Sequence, residues 1–393
     1  MSRILVVSPY RSEYGPGEVL EHVVQALIAG GHEPLCAVPD AARLPRYIRE
    51  SGVAVHPIRE LSTFPRTLNA WRLGGFLRKH ADAATEIERI ATREGVALVY
   101  STSEAIFCGG LAARRMRLPS IAHAIGMSIA SPHAVASVYI RLLDRLTDQF
   151  IACSAAVAEM FENNGVEDEK IVVVHNGISV DAINAVEPTK LEGTAGKIGM
   201  VAAYDPRKGH ELFLAAAERV IRQEPSATFF LVGGALAGQR DSVGFERHIH
   251  DVILQRGLAN NVVRTGFVPF PDIYRTIKAL DVVVVPSATE AFAHALLEAM
   301  ACARPVVATR IEGNVDALVE GQSGLYVERN PDELADALLT LLRDKERAQE
   351  MGAAGYRRVR ELFDLSATLP PIAHTVDRVL ERNRASSGQH LAR

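Results

Sequence analysis

Residues 282–309 constrain this chain more than any other stretch. Val282–Val285 is an unbroken β-branched run bounded by Asp281 and Pro286, which is the composition of a strand buried on both faces of a parallel sheet. From about 294 to 303 the residues are good helix formers, with neither Gly nor Pro. Pro305 stops that helix, and Val306–Thr309 reads as the next strand. Strand, loop, helix, strand is the unit of a doubly wound α/β fold, and such folds bind ligands at the carboxyl ends of their strands. Glu290 falls in the loop at that end.

Glu298 is the odd residue of the helix. Its neighbours three and four places away are His294, Ala295, Ala301 and Cys302. A carboxylate is rarely buried without a partner, so either this face opens to water or a ligand lies on it. The amino end of the helix offers unpaired N–H groups and roughly half a positive charge, which suits a phosphate. A carboxylate one or two turns further in suits a diol. Pyrophosphate and ribose together are what a nucleotide presents.

A second candidate stretch runs Met200-Val-Ala-Ala-Tyr-Asp205-Pro-Arg207-Lys208-Gly209-His210, between a strand and a helix. Lys208 there is a point charge that can neutralise a leaving diphosphate. Its bland alternative is a solvated helix start.

The rest of the chain reads as two successive α/β series. In the first, strands are expected at 4–7, 35–38, 97–100, 120–126, 149–153 and 170–174. Helices are expected at about 18–29, closed by Gly30-Gly31, and at about 104–116. The loop 9–17 contains Gly15, Pro16 and Gly17 but lacks the dinucleotide G-x-G-x-x-G spacing. Residues 182–196, with Pro188, Gly193 and Gly196, read as a linker. The second series begins at Ile198, and helices are expected at 331–343, 345–362 and about 366–384. The domains are therefore 1–182, a linker 183–196, 197–365, a final helix 366–385 and a frayed tail 386–393.

Composition narrows the function. Acids outnumber bases 47 to 43 in the 393 residues, so no basic field points to nucleic acid. The four cysteines, Cys36, Cys108, Cys153 and Cys302, have no C-x-x-C spacing and read as reduced thiols of a cytosolic protein. Residues 1–9 read as entering a strand at once rather than as a signal peptide, and no apolar run reaches transmembrane length. The stretch 60–95 is less regular. Within 66–80, Arg66, Arg72, Arg78 and Lys79 interleave with Trp71, Leu73, Phe76 and Leu77. Such a helix suits either an anionic membrane surface or a face packed on the sheet.

Glu290 and Glu298 are separated by seven residues and followed by Ala-Met-Ala-Cys-x-x-Pro-Val-Val-Ala-Thr. This resembles the E-x7-E signature of the retaining glycosyltransferases of family 4, which have the two-domain GT-B fold. The resemblance implies two Rossmann-like doubly wound domains facing a cleft, acceptor-binding then donor-binding, with the last helix crossing back to the first domain. It implies transfer of a sugar from a nucleoside diphosphate sugar to a hydroxyl, with retention and without a metal or other cofactor; the chain has no D-x-D pair. Glu298 then binds ribose hydroxyls, Glu290 a donor sugar hydroxyl, and Lys208 the leaving phosphate. The backbone of Phe292, Ala293, His294 and Ala295 cradles the pyrophosphate, Val268 lies near the base, and the loop of Gly15 and Gly17 faces donor phosphates and acceptor. His123 matches a histidine that contacts the donor sugar near the reacting carbon; a core histidine is the bland alternative. Ser154 matches a strand-end serine, and Asn176-Gly177 a structural turn that admits positive φ.

Two departures from the family pattern stand out. Ala202-Ala203-Tyr204 replaces Gly-Arg-Leu, so the phosphate-binding arginine is missing at Ala203; Arg207 and Arg11 are the candidate substitutes. Glu290-Ala291-Phe292-Ala293 replaces Glu-Gly-Phe-Gly, and ordinary backbone conformations are expected at both alanines. These departures keep a catalytically silent partner subunit open, and a nucleotide-sugar epimerase of similar fold is a separate alternative. The implied location is the cytoplasm, with peripheral contact at the inner membrane face through 66–80 as an added reading.

Overall fold

The computed structural model describes residues 1–10, 16–40, 44–59, 61–64, 70–126, 133–191, 196–236 and 239–391, with only the backbone described for 16, 70–71, 133–134 and 386–391. Arg11, Gly15 and Arg66 lie outside the described residues. The chain forms two compact units, Met1–Gly177 with Leu365–Arg393, and Ile178–Asp364.

The first unit is built on seven strands: β1 Arg3–Val7, β2 Glu33–Val38, β3 Ala54–Pro57, β4 Leu98–Ser101, β5 Ser120–Ala124, β6 Gln149–Ala152 and β7 Ile171–Val173. All pair in parallel, in the order β3-β2-β1-β4-β5-β6-β7. Strand alternation feeds two cores. Ile4 and Val6 pack with helix Pro16–Ala29 and with Ile372, Val376 and Val379 of the last helix. Leu5 and Val7 pack with Ala84, Ile87 and Ala91 of helix Ala70–Glu94. A parallel sheet covered on both faces needs apolar residues at successive strand positions, which is why these strands read as continuous apolar runs.

The second unit has six parallel strands: β8 Lys197–Val201, β9 Thr228–Val232, β10 Val262–Gly266, β11 Val282–Val285, β12 Val306–Thr309 and β13 Leu325–Val327. Their order is β10-β9-β8-β11-β12-β13. Strand order thus reverses between β8 and β11, as it does between β1 and β4 in the first unit. Such a reversal leaves a crevice at the carboxyl ends of the two central strands, because the following helices go to opposite faces.

Several expectations need correction. Residues 60–95 are more regular than their sequence suggests, since Ala70–Glu94 is one 25-residue helix. The helix expected from 104 starts at Cys108, because Thr102, Ser103 and Glu104 are buried in the loop after β4. The last helix runs over Leu365–Leu391, through the residues expected to fray. The expected linker is tied into the second unit over its first half: helix Val180–Asn184 leads to Val186 O, which accepts from Lys278 Nζ at 2.7 Å. Gly177 does not need positive φ. A Cβ there would lie 2.1 Å from Thr368 Oγ1, so the final helix demands a residue without a side chain.

Candidate functional site

The second unit brings two distant loops together at its switch point. After β8, Asp205 starts a single turn, Pro206–Lys208, by accepting from Arg207 N at 2.9 Å. Gly209 follows with φ of 83° and begins helix His210–Gln223. Its Cα presses on the end of β11, where an added Cβ would lie 1.9 Å from Pro286 O. Ala288 N donates to Arg207 O at 2.7 Å. These backbone contacts fix the lysine loop against the glutamate loop. Lys208 Nζ then donates to Glu290 Oε1 at 2.5 Å.

Glu290 has further support from its own side of the sheet. Ser287 Oγ donates to Glu290 Oε1 at 2.8 Å. Thr309 Oγ1, at the end of β12, donates to Ser287 O at 2.6 Å. Asn314 Nδ2 donates to Thr309 O at 3.1 Å. Gly313 backs the main chain of Glu290 so closely that a Cβ would lie 2.0 Å from Glu290 O. The side chain of Glu290 is 13% exposed and that of Lys208 33%, so the pair sits at the edge of water.

Helix His294–Ala301 starts just beyond. Ala293 is its N-cap, with φ of −79° and no side-chain cap. Ala291 also avoids positive φ, so both alanines have ordinary conformations, as expected from the sequence. His294 and Ala295 are half-buried, while Phe292, Ala293 and Glu298 are buried. The Phe292 ring packs on Phe363 at 5.5 Å, so it anchors the loop from inside the unit. Glu298 is 9% exposed among Leu297, Ala299 and Met300. Val268 is half-buried in the loop after β10, beside Phe267, whose backbone lies against Gly234.

The missing arginine is not replaced by a free cation in this loop. Arg207 Nη2 donates to Asp205 Oδ2 at 2.7 Å and Nε to Oδ1 at 3.0 Å. That hydrogen bonding, helped by the charges of Asp205 and Glu290, holds the guanidinium above its ordinary pKa. Ala203 is half-buried. Tyr204, where leucine is usual, is 2% exposed and stacks on His210 at 4.8 Å. Burial pulls the His210 imidazole down to about 4.

Gly17 and His123 belong to the first unit. Gly17 is buried in the first turn of helix Pro16–Ala29. His123 lies within β5 and is 2% exposed. Its Nδ1 shares a 2.9 Å hydrogen bond with Tyr100 OH, while Nε2 is buried without a hydrogen-bond partner. Burial, with a smaller push from His22, lowers its pKa to about 3, so the ring is neutral at pH 7. Ser154 caps helix Ala155–Glu162 by accepting from Val157 N at 3.3 Å. The switch point of this unit carries polar residues not anticipated from the sequence. Tyr10 OH and Ser103 Oγ are 3.0 Å apart, and Glu104 Oε2 accepts from Ile125 N at 3.2 Å.

In the basic segment 66–80, Phe76 and His80 are buried, whereas Leu73 and Leu77 are 36% and 44% exposed beside exposed Arg72, Arg78 and Lys79. Among the described residues no helix is long and apolar enough to cross a membrane.

Comparison with known proteins agrees with this architecture. The profile described as Glycosyltransferase Family 4 matches residues 15–182, and that described as Glycosyl transferases group 1 matches residues 183–358. The chain belongs to the family 4 glycosyltransferases. Among curated relatives, the D-inositol 3-phosphate glycosyltransferase 2 of Catenulispora acidiphila is 30% identical over 236 residues, 58% of this chain and 55% of that one. An uncharacterized glycosyltransferase of Methanocaldococcus jannaschii is 22% identical over 77% of this chain and 79% of its own. The chain spans little more than half the length of the first D-inositol 3-phosphate glycosyltransferases it matches. Among solved structures, Anabaena HepE in complex with UDP-glucose superposes with a TM-score of 0.78 at 22% identity, covering 96% of this chain and all of that one. Sucrose-phosphate synthase of Thermosynechococcus elongatus gives 0.79 at 19% identity, covering 98% and 100%. These likenesses establish the GT-B type of fold.

Within this family 4 chain, Lys208, Glu290 and Glu298 stand out in the sequence, whereas Ser287, Thr309, Gly313 and Asn314, which support Glu290, do not. The available signal was position: Thr309 ends β12, the strand next to β11, and Gly313 and Asn314 follow it, at the same end of the sheet.

Proposed function

We propose that this chain transfers a sugar from a nucleoside diphosphate sugar to a hydroxyl acceptor, with retention of anomeric configuration and without a metal ion. The observation that carries the reading is the meeting of Lys208 and Glu290 at the switch point between β8 and β11, 2.5 Å apart. A cation and a carboxylate side by side suit the two neighbouring groups of a sugar diphosphate. Lys208 takes the leaving phosphate, and Glu290 accepts a hydrogen bond from a sugar hydroxyl. The amino end of helix His294–Ala301 adds backbone donors and dipole to the diphosphate, and Glu298 grips the ribose diol.

In the transfer, the bond from the anomeric carbon to the phosphate oxygen breaks and a bond to the acceptor oxygen forms on the same face. The acceptor proton passes to the departing phosphate oxygen. Positive charge at Lys208 and the helix dipole stabilise the diphosphate as it leaves, which is the role a divalent cation has in other transferases. The structure of the fold neighbour HepE in complex with UDP-glucose supports the donor class. Exposed Leu73 and Leu77 among basic residues support peripheral contact with an anionic membrane.

The test is incubation with UDP-, GDP-, ADP- and TDP-glucose, with and without a panel of hydroxyl acceptors, in the presence of a chelator. Acceptor-dependent release of one nucleoside diphosphate, with an α-linked product by NMR, is expected. No release from any donor rejects transferase activity, and a new sugar isomer formed without acceptor indicates an epimerase.

A further inference from the structure

We infer that Ser287 is the positioning residue of the site, setting Glu290 so that one carboxylate oxygen is left for the donor sugar. The inference rests on the donor-site reading above and deepens it. Both hydrogen bonds to the Glu290 side chain converge on a single oxygen, Oε1: Lys208 Nζ at 2.5 Å and Ser287 Oγ at 2.8 Å. Among the described residues no hydrogen bond reaches Oε2. A carboxylate held through one oxygen presents the other as an acceptor of fixed direction.

The two donors differ in what a ligand does to them. Lys208 is a flexible side chain, one-third exposed; an arriving diphosphate competes with Glu290 for its charge. Ser287 is 2% exposed and cannot follow the ligand. Its carbonyl accepts from Thr309 Oγ1 at 2.6 Å, and Thr309 is fully buried. The Thr309 carbonyl is in turn held by Asn314, also fully buried, whose own carbonyl accepts from Tyr326 OH at 2.7 Å. Gly313 closes the back of Glu290, leaving no room for a Cβ. Ser287 is therefore the donor that stays when Lys208 turns to phosphate. Its fixed hydroxyl keeps Glu290 from swinging out to water or following the lysine. A site built in this way distinguishes a nucleoside diphosphate sugar from the bare diphosphate, because only the former carries a donor-sugar hydroxyl for Oε2, the ribose diol being held by Glu298.

The experiment measures dissociation constants by calorimetry on the full chain for UDP, GDP, ADP and TDP and for the matching nucleoside diphosphate glucoses. Wild type is compared with Ser287→Ala, Ser287→Thr and Gly313→Ala. In Ser287→Ala the affinity for the diphosphate stays within about twofold, while the ratio of sugar-nucleotide to diphosphate affinity falls about tenfold, the scale of one hydrogen bond to a charged group. Ser287→Thr, which keeps the hydroxyl, restores the ratio. Gly313→Ala, whose Cβ presses on the main chain of Glu290 and Ala291, lowers it. Thermal melting of each variant separates loss of folding from loss of selectivity. An unchanged ratio in Ser287→Ala, with diphosphate still bound, overturns the positioning role and leaves the donor site standing. If wild type binds neither diphosphate nor sugar nucleotide, the donor site and the positioning role fall together.

Discussion

Lys208 Nζ and Glu290 Oε1 are 2.5 Å apart although 82 positions separate the two residues in the chain. Parallel pairing of β8 with β11 makes this possible, because Val282, Val283 and Val284 register with Ile198, Gly199 and Met200. The loops that follow these strands then emerge side by side. The pair is partly solvated, so it contributes little to stability, on the order of 0–1 kcal/mol. Its value lies in holding a cation and an anion ready for one ligand.

Lys208→Ala therefore separates binding from folding. The melting temperature should change little, consistent with a loss below about 1 kcal/mol. Affinity for a nucleoside diphosphate should fall more than tenfold, since a charge-assisted contact to phosphate is worth about 1.5–3 kcal/mol. Calorimetric titration beside a thermal melt checks both. A large melting loss with intact affinity would show the pair to be structural.

Gly209 makes the lysine loop possible. With φ of 83° and Pro286 O where a Cβ would lie, at 1.9 Å, alanine meets both backbone strain and a clash with main chain. Gly209→Ala should cost about 2 kcal/mol or more and should weaken nucleotide binding through its neighbour Lys208. Chemical denaturation with a parallel titration measures the two effects. A variant with wild-type stability contradicts the close approach.

Ala303 offers the opposite change. It sits just after helix His294–Ala301 with φ of 54°, a conformation that costs a residue bearing Cβ roughly 1–2 kcal/mol. Ala303→Gly removes that strain and loses about 0.5–1 kcal/mol to a more flexible unfolded chain. A net gain of about 0.5–1 kcal/mol is expected by denaturation. A lower stability would mean that the Ala303 methyl contributes more packing than its backbone costs.

His210 ties stability to pH. Its folded pKa is lowered from 6.5 to about 4 by burial. The unfolded chain therefore takes up the proton first as pH falls. The stability associated with the neutral ring is complete above about 6.5 and is lost between 6.5 and 4. At pH 5.5 the loss is about 1.4 kcal/mol, one unit of proton affinity. His210→Phe, which keeps an aromatic ring against Tyr204, should show a smaller fall in melting temperature between pH 7.5 and 5.5. An identical fall in both proteins contradicts the assignment.

Fold and site were legible in the sequence to different depths. Val282–Val285 and Val306–Thr309 are buried strands and read as such, because a parallel strand covered on both faces has one unmistakable composition. The helices Pro331–Arg343 and Lys345–Leu362 also read correctly, with capping Asn330 and Asp344 at their starts. Helix Ala70–Glu94 was obscured by Gly74 and Gly75 and by a basic exposed face, since its apolar stripe becomes clear only beyond Phe76. In the site, charged residues announced themselves and their supports did not. Ser287, Thr309 and Asn314 are ordinary polar residues whose roles arise from strand order, which places the end of β12 beside that of β11. Gly313 sits in a helical turn with no unusual φ, and only the proximity of Glu290 O explains why a side chain is absent there.

On the proposed reading, the Lys208–Glu290 switch point, with Glu298 on the following helix, forms a nucleotide site. The most direct test is a thermal-shift titration of UDP, GDP, ADP and TDP against wild type and Glu298→Ala. A ligand at a hundred times its dissociation constant adds about 2.7 kcal/mol, a shift of several degrees. One nucleotide is expected to stabilise wild type by that amount, and Glu298→Ala to lose most of the effect. Stabilisation of neither protein by any of the four, or equal stabilisation of both, would contradict it.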